Sequence, residues 1–221
     1  MGKTYKETGV DIEAGEEAVS SIKEMVKSTF SDNVLTEVGS FGACFSFPVD
    51  KYENPVLVSS SDGVGTKLIV ANKMGKHDTV GQCLVNHCVD DILTIGARPL
   101  YFMDYVGIGK LVQENFKAIV KGLTKACKEN DCSLIGGETA EMPDIYDKDD
   151  YDLVGNITGI VEKKNILTSR VKKGDVLIGL QSSGLHTNGY TLARSVLLGK
   201  HHVEDYVDTL GCTVGEEMLK V

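Results

Sequence analysis

The sequence predicts an α/β fold, on three observations. Apolar runs of strand length alternate with longer stretches whose apolar residues recur every three or four positions. Two of the runs break off into glycine beside an acid, the pattern of a strand that feeds a ligand loop. No internal repeat or low-complexity tract interrupts the alternation.

The elements follow in order. Between Ile12 and Thr29, the residues Ala18, Val19, Ile22, Met25 and Val26 lie at helical spacing. Gly39-Ser40-Phe41-Gly42-Ala43 is a short glycine-spaced piece before a strand. Pro55–Ser61 is the first clear strand and leads into the turn 62–67, then Leu68–Met74. Asp78 or Thr79 caps a helix that runs to Ile95, where Gly96 and Pro99 stop it. Leu100–Val106 is a strand. Val112, Phe116, Ile119, Val120, Leu123, Ala126 and Cys127 mark a second long amphipathic helix. Cys132–Ile135 is a strand ending at Gly136-Gly137-Glu138, and Leu153–Val161 is another. The polar stretch Glu162–Lys173 reads as a connection between domains. A strand over Asp175–Leu180 then enters the loop 182–190 and a helix through Leu198.

Composition narrows the function. The chain has 221 residues, room for one large domain or two small ones. Its net charge of −9 argues against a nucleic-acid partner, which needs a basic face. Phosphate ligands remain compatible, because a few cations and Mg²⁺ reverse the field within one cleft. No apolar run is long enough for a bilayer and no signal-peptide pattern is present, so a cytoplasmic location is expected. None of the six cysteines forms a CxxC pair. They read as reduced thiols rather than a disulfide framework or zinc site.

The densest chemistry lies in Asp62-Gly63-Val64-Gly65-Thr66-Lys67. Glycines let backbone N–H groups approach a phosphate, the lysine adds a point charge, and the carboxylate offers hard oxygen to Mg²⁺. The order differs from both GxxxxGK[ST] and GxGxxG, and a tight hairpin turn is the alternative. Leu84, Cys88, Asp91 and Ile95 step by four, three and four, which sets Asp91 on an apolar stripe and leaves Asp90 off it. A buried carboxylate needs a partner such as a metal or cation; the alternative is that Asp91 caps another helix or pairs with Arg98. Glu138 follows two glycines and could join Asp62 and Asp91 around Mg²⁺; a turn with solvated acids is the other option. In the loop 182–190, hydroxyls and free N–H groups suit an anion, and His186 suits proton transfer near neutral pH. An ordinary loop capped by Thr187 or Asn188 is the alternative. His77, His87, His201 and His202 offer less, and no Cys/His metal spacing exists.

The segments GVDIEAGEEAV, GSFGACF, SSSDGVGTKL, CVDDILTIGARPLYFMDY, GGETAEMPDIY, YDLVGNITGIVEK and SSGLHTNGY occur in this order over nearly the whole chain. Together they resemble the phosphoribosylformylglycinamidine cyclo-ligase (aminoimidazole ribonucleotide synthetase) family. Two positions depart from the usual pattern. Ser60 and Ser61 precede the aspartate where the family reads SGTD. His87-Cys88-Val89-Asp90-Asp91 stands where it reads MCVND, which adds a charge at Asp90. The family also continues well beyond GEEMLK, so a chain truncated in its second domain is expected.

The resemblance implies an N-terminal domain over residues 1–170, with a mixed sheet and flanking helices that dimerises into a barrel-like interface, and the start of a second α/β domain over 171–221. It implies that Asp62, Gly63, Gly65, Thr66, Lys67, Asp91, Glu138 and Thr139 bind ATP. Asp62, Asp91 and Glu138 would serve Mg²⁺, while His186 and Asn188 would face formylglycinamidine ribonucleotide. The implied reaction is ATP-dependent closure to aminoimidazole ribonucleotide with release of ADP and phosphate, in purine biosynthesis, by a homodimer. The alternatives are a related ATP-dependent kinase or synthetase of the same superfamily, or a truncated nucleotide-binding pseudo-enzyme.

Overall fold

The computed structural model describes residues 5–168 and 171–221. Its helices and strands alternate as α1 (Ile12–Lys27), β1 (Pro55–Gly63), α2 (Leu68–Met74), α3 (Asp78–Leu93), β2 (Arg98–Ile108), α4 (Gln113–Glu129), β3 (Ser133–Glu141) and β4 (Tyr151–Glu162). The short elements α5 (Tyr190–Leu197), β5 (Tyr206–Val207), β6 (Cys212–Thr213) and α6 (Val214–Met218) follow. The main sheet has the order β1-β4-β2-β3. β2 and β3 are parallel; β4 runs antiparallel to β1 and β2. This is the mixed α/β sheet that the alternating pattern predicts.

Of the three long helices only α1 has a side-chain cap; α3 starts at Asp78 behind His77, so neither Asp78 nor Thr79 caps it, and α4 starts behind Val112. The Asp11 carboxylate accepts the Ala14 N–H and caps α1, whose apolar stripe buries Ala18, Ile22 and Val26. α4 buries Phe116, Ile119, Val120, Leu123, Ala126 and Cys127. α3 is buried on nearly every side over Thr79–Val85, because it lies between the sheet and α4.

Strand period decides what the helices meet. Alternate β1 residues Val56 and Val58 pack against the core, and the same face continues as Ser60 and Asp62. Thus the apolar stripe of β1 turns polar just where it passes the end of α3. The other face of the sheet leaves Leu57 and Met103 exposed, while Phe45 lies against Tyr101 with ring centroids 5.2 Å apart.

Three expectations are corrected. Gly136-Gly137-Glu138 does not end a strand; β3 continues to Glu141, because β2 supplies parallel partners through Ile108–Glu141. The segment Asp175–Leu180 is not a strand. Val176, Leu177, Ile178 and Leu180 are almost wholly exposed, and no described strand pairs with them. The piece 39–43 is an exposed loop followed only by a single bridge, Val34 to Phe45. The expected domain boundary at 170–171 lies at the edge of the described residues.

Candidate functional site

β1 and α3 bring three potential ligands together. The closest nitrogen or oxygen atoms of Asp62, His87 and Asp91 all lie within 4.8 Å of one another. His87 Nε2 is 3.0 Å from Asp62 Oδ2. The other Asp62 oxygen, Oδ1, accepts the Gly63 N–H at 2.7 Å. Ser60 donates its hydroxyl to Asp91 Oδ2 at 2.6 Å. His87 Nδ1 is 2.7 Å from the hydroxyl of Thr187, in the loop before α5. His87 is buried, Asp91 half-buried, and the Asp62 side chain is 44% exposed. Asp91 and Asp90 differ as helical phase predicts: Asp90 is exposed.

The donor set suits a divalent cation. Asp62 and Asp91 supply hard carboxylate oxygens from two elements, with open solvent beside Asp62 for phosphate or water. Glu138 does not join them. It is exposed on β3, the edge strand opposite β1, three strand spacings or about 14 Å across the sheet. Thr139, half-buried on the same strand, is equally remote from Asp62. Both border a cavity of about 310 Å³ under α1 and α4 with Asp104, whose carboxyl burial pushes up to about 7.

Lys67 corrects the sequence reading most sharply. It is completely buried, and its ammonium donates to the carbonyl oxygens of His186 at 2.9 Å and Lys220 at 2.7 Å. Its Nζ also lies 3.1 Å from Cys83 Sγ and 5.2 Å from the Tyr190 ring centre. Burial holds its pKa below the ordinary lysine value. The helical turn 65–67 points this side chain inward, so it is engaged by the chain and not directed to a phosphate. Gly63 ends β1, Gly65 has φ +68°, and the Thr66 hydroxyl is 3.0 Å from that of Thr191. We expect Lys67→Met to destabilise the fold by about 3 kcal/mol, since the partly buried carbonyls of Leu185, His186 and Lys220 lose their shared donor. Urea unfolding measures this; a loss under about 1 kcal/mol would contradict the reading.

The Lys67 tie delivers His186 to the site. Its ring is 5.9 Å from that of His87, and it borders a cleft of about 410 Å³ with Asn86, Asp90, Asn130 and Ser183. Asn188 is exposed, and neither it nor Thr187 caps α5, whose N-cap is Gly189. Thr187 and His87 are the residues that sequence reasoning missed. His87 sits among Leu84, Val85 and Cys88 on a buried helix, and its partners come from β1 and the 187 loop.

Burial lowers the pKa of His186, helped by Lys67 and His87, and burial also lowers that of His77, which bonds Tyr151 Oη through Nδ1 at 2.9 Å. Below the ordinary histidine value of about 6.5 the unfolded chain binds more protons than the folded one. Stability therefore falls as pH drops through that value toward the folded pKa values. The thermal midpoint should decline from pH 7.5 to 5.5, and His77→Gln should flatten the decline; an unchanged pH slope would refute the assignment.

The chain matches the family described as AIR synthase related protein, N-terminal domain, over residues 43–161. It is 52% identical over 223 residues to a phosphoribosylformylglycinamidine cyclo-ligase of Thermodesulfovibrio yellowstonii, covering 100% of this chain and 65% of that protein. It is 52% identical over 220 residues to the enzyme of that name from Pseudothermotoga lettingae, covering 99% and 65%. The chain thus spans about 65% of the length of these relatives. A solved thiamine-monophosphate kinase from Stenotrophomonas maltophilia K279a has a similar fold, with TM-score 0.55 and 18% identity over 66% of this chain and 43% of that one. By the match over more than half its length, this chain belongs to the AIR synthase related family, of which it carries the N-terminal domain.

Proposed function

We propose that the protein serves ATP-dependent closure of formylglycinamidine ribonucleotide to aminoimidazole ribonucleotide, in purine biosynthesis. The observation that carries this reading is the convergence of Asp62 and Asp91 beside the His186 loop. Identity of about half with named cyclo-ligases supports it. Asp62 and Asp91 would hold Mg²⁺, which when bound neutralises phosphate charge. Gly63 and Gly65 keep the backbone bare where phosphates approach, and Thr66 offers a hydroxyl at the rim.

The chemistry asks for little covalent participation by protein. ATP phosphorylates the formyl oxygen and makes it a leaving phosphate; the amidine nitrogen then attacks that carbon and closes the ring. Positioning and charge neutralisation supply the rate. His186, kept neutral near pH 7 by its lowered pKa, is suited to accept a proton from the attacking nitrogen. Asn188, in the exposed loop, would contact the ribonucleotide. Glu138 and Thr139 would act on the far strand, away from the Asp62 cation.

Residues 1–170 form the nucleotide-binding unit in this reading and 171–221 begin a second. The open sheet face at Leu57 and Met103 would pair two copies into a homodimer. No described helix is long and apolar enough to cross a membrane. A related kinase reading is favoured by the fold shared with thiamine-monophosphate kinase. Incubating the chain with ATP, Mg²⁺ and formylglycinamidine ribonucleotide, and separately with thiamine monophosphate, distinguishes them. Aminoimidazole ribonucleotide supports the cyclo-ligase; a phosphorylated thiamine supports the kinase; Mg-ATP binding without either product leaves a nucleotide-binding module.

A further inference from the structure

The site at the end of β1 is not an all-oxygen one. We propose that Asp62, His87 and Asp91 form a mixed carboxylate–imidazole centre that binds a first-row transition-metal dication, of the Mn²⁺ or Co²⁺ kind, more tightly than Mg²⁺, with His87 Nε2 as its third ligand. This rests on the reading that Asp62 and Asp91 hold the divalent cation.

Geometry comes first. Bonds of about 2.1 Å at right angles place neighbouring ligand atoms about 3.0 Å apart. His87 Nε2 and Asp62 Oδ2 stand 3.0 Å apart, and the three ligand atoms all fall within 4.8 Å. The 3.0 Å separation is also that of a hydrogen bond, so a cation would replace the His87–Asp62 contact and draw Asp91 in by a side-chain adjustment.

The ligands are also held from behind. Thr187 fixes the far nitrogen of the His87 ring, so Nε2 is the atom turned to the two carboxylates. Ser60 holds one oxygen of Asp91, and the Gly63 N–H holds one oxygen of Asp62. Such outer bonds are the usual support of metal-binding imidazoles and carboxylates, and their loss costs about 10–100-fold in affinity. His87 is only 8% exposed, so the ring cannot turn out to water. Three ligands leave the Asp62 side open for water or phosphate oxygens.

The choice of ion follows from the nitrogen. Mg²⁺ favours oxygen and gives up its water reluctantly. Imidazole suits the later divalent ions, whose affinity for N/O sites rises from Mn²⁺ through Co²⁺. The spacing of ligands along the chain conceals the site, because one comes from β1 and two from α3, four residues apart.

Calorimetric titration of the whole chain with Co²⁺, Mn²⁺ and Mg²⁺, without nucleotide, tests the proposal. Co²⁺ should bind at least about tenfold tighter than Mg²⁺. His87→Asn should weaken Co²⁺ about tenfold or more and Mg²⁺ less than about threefold. Should that variant misfold, proton NMR of the unmodified chain with Co²⁺ decides. One paramagnetically shifted, exchangeable imidazole N–H is expected; its absence overturns the proposal. Equal losses for both ions in His87→Asn, or none, also overturn it. If Mg-ATP binds normally but Co²⁺ shows no preference, this inference fails and the nucleotide reading stands. If Co²⁺ binds through His87 while Mg-ATP does not bind, the metal centre stands and the nucleotide reading fails.

Discussion

Gly81→Ala should destabilise the fold by about 3 kcal/mol or more, enough to unfold a domain of ordinary stability. Gly81 on α3 faces Gly122 on α4 where the helices cross. A Cβ at Gly81 would stand 2.3 Å from the Ile119 carbonyl oxygen and 2.7 Å from the Leu123 nitrogen. A Cβ at Gly122 would stand 2.3 Å from the Asp78 carbonyl oxygen. All of these atoms are backbone, so no rotamer change relieves the overlap and the helices must separate. Separation would open the layer that holds Val80, Leu84, Ile119 and Leu123. Gly15 on α1 is the control, since nothing lies within 4 Å of its Cβ position. There Gly15→Ala should stabilise by about 0.5–1 kcal/mol through helix propensity. Urea unfolding of both variants measures the contrast; a Gly81→Ala cost below about 1 kcal/mol would show that the crossing is looser than it stands.

Asp91→Asn should weaken Mg-nucleotide binding by about 10–100-fold, and Asp90→Asn by less than about threefold. The amide keeps the shape of Asp91 and the Ser60 contact but removes the charge that a cation needs. Asp90 points to solvent, so screening leaves its charge little effect. Calorimetry with and without Mg²⁺ reads the difference, and comparable losses at the two positions would remove Asp91 from the site.

Much of this was legible in sequence because amphipathic helices report their own phase. Asp91 could be set on the inner side and Asp90 outside from spacing alone. The strand errors share one physical cause: a strand is completed by its neighbour. Gly136 and Gly137 look like punctuation, yet pairing with Met103 and Asp104 carries β3 through them. Residues 175–180 look like a strand, yet no described partner accepts them. Glu138 inherited its expected place from the belief that β3 ended there. Lys67 was misread because its type suggests phosphate, whereas the turn after Gly65 sends it into the core against Cys83. His87 stayed hidden because a histidine inside an apolar helix face reads as packing until β1 brings Asp62 beside it.

The Lys67 tie also sets an order of events. Lys67 reaches carbonyl oxygens 119 and 153 residues further along the chain, those of His186 and Lys220, while its Nζ also contacts Cys83 on α3. We expect the platform of α2 and α3 to form before the last forty or so residues dock, with the tie made after the rate-limiting step of folding. Lys67→Met should then accelerate unfolding while leaving the refolding rate nearly unchanged in stopped-flow experiments. Equal slowing of refolding would place the tie in the nucleus instead. The loop at His186 should then be the last part of the chain to be secured and the first to be released.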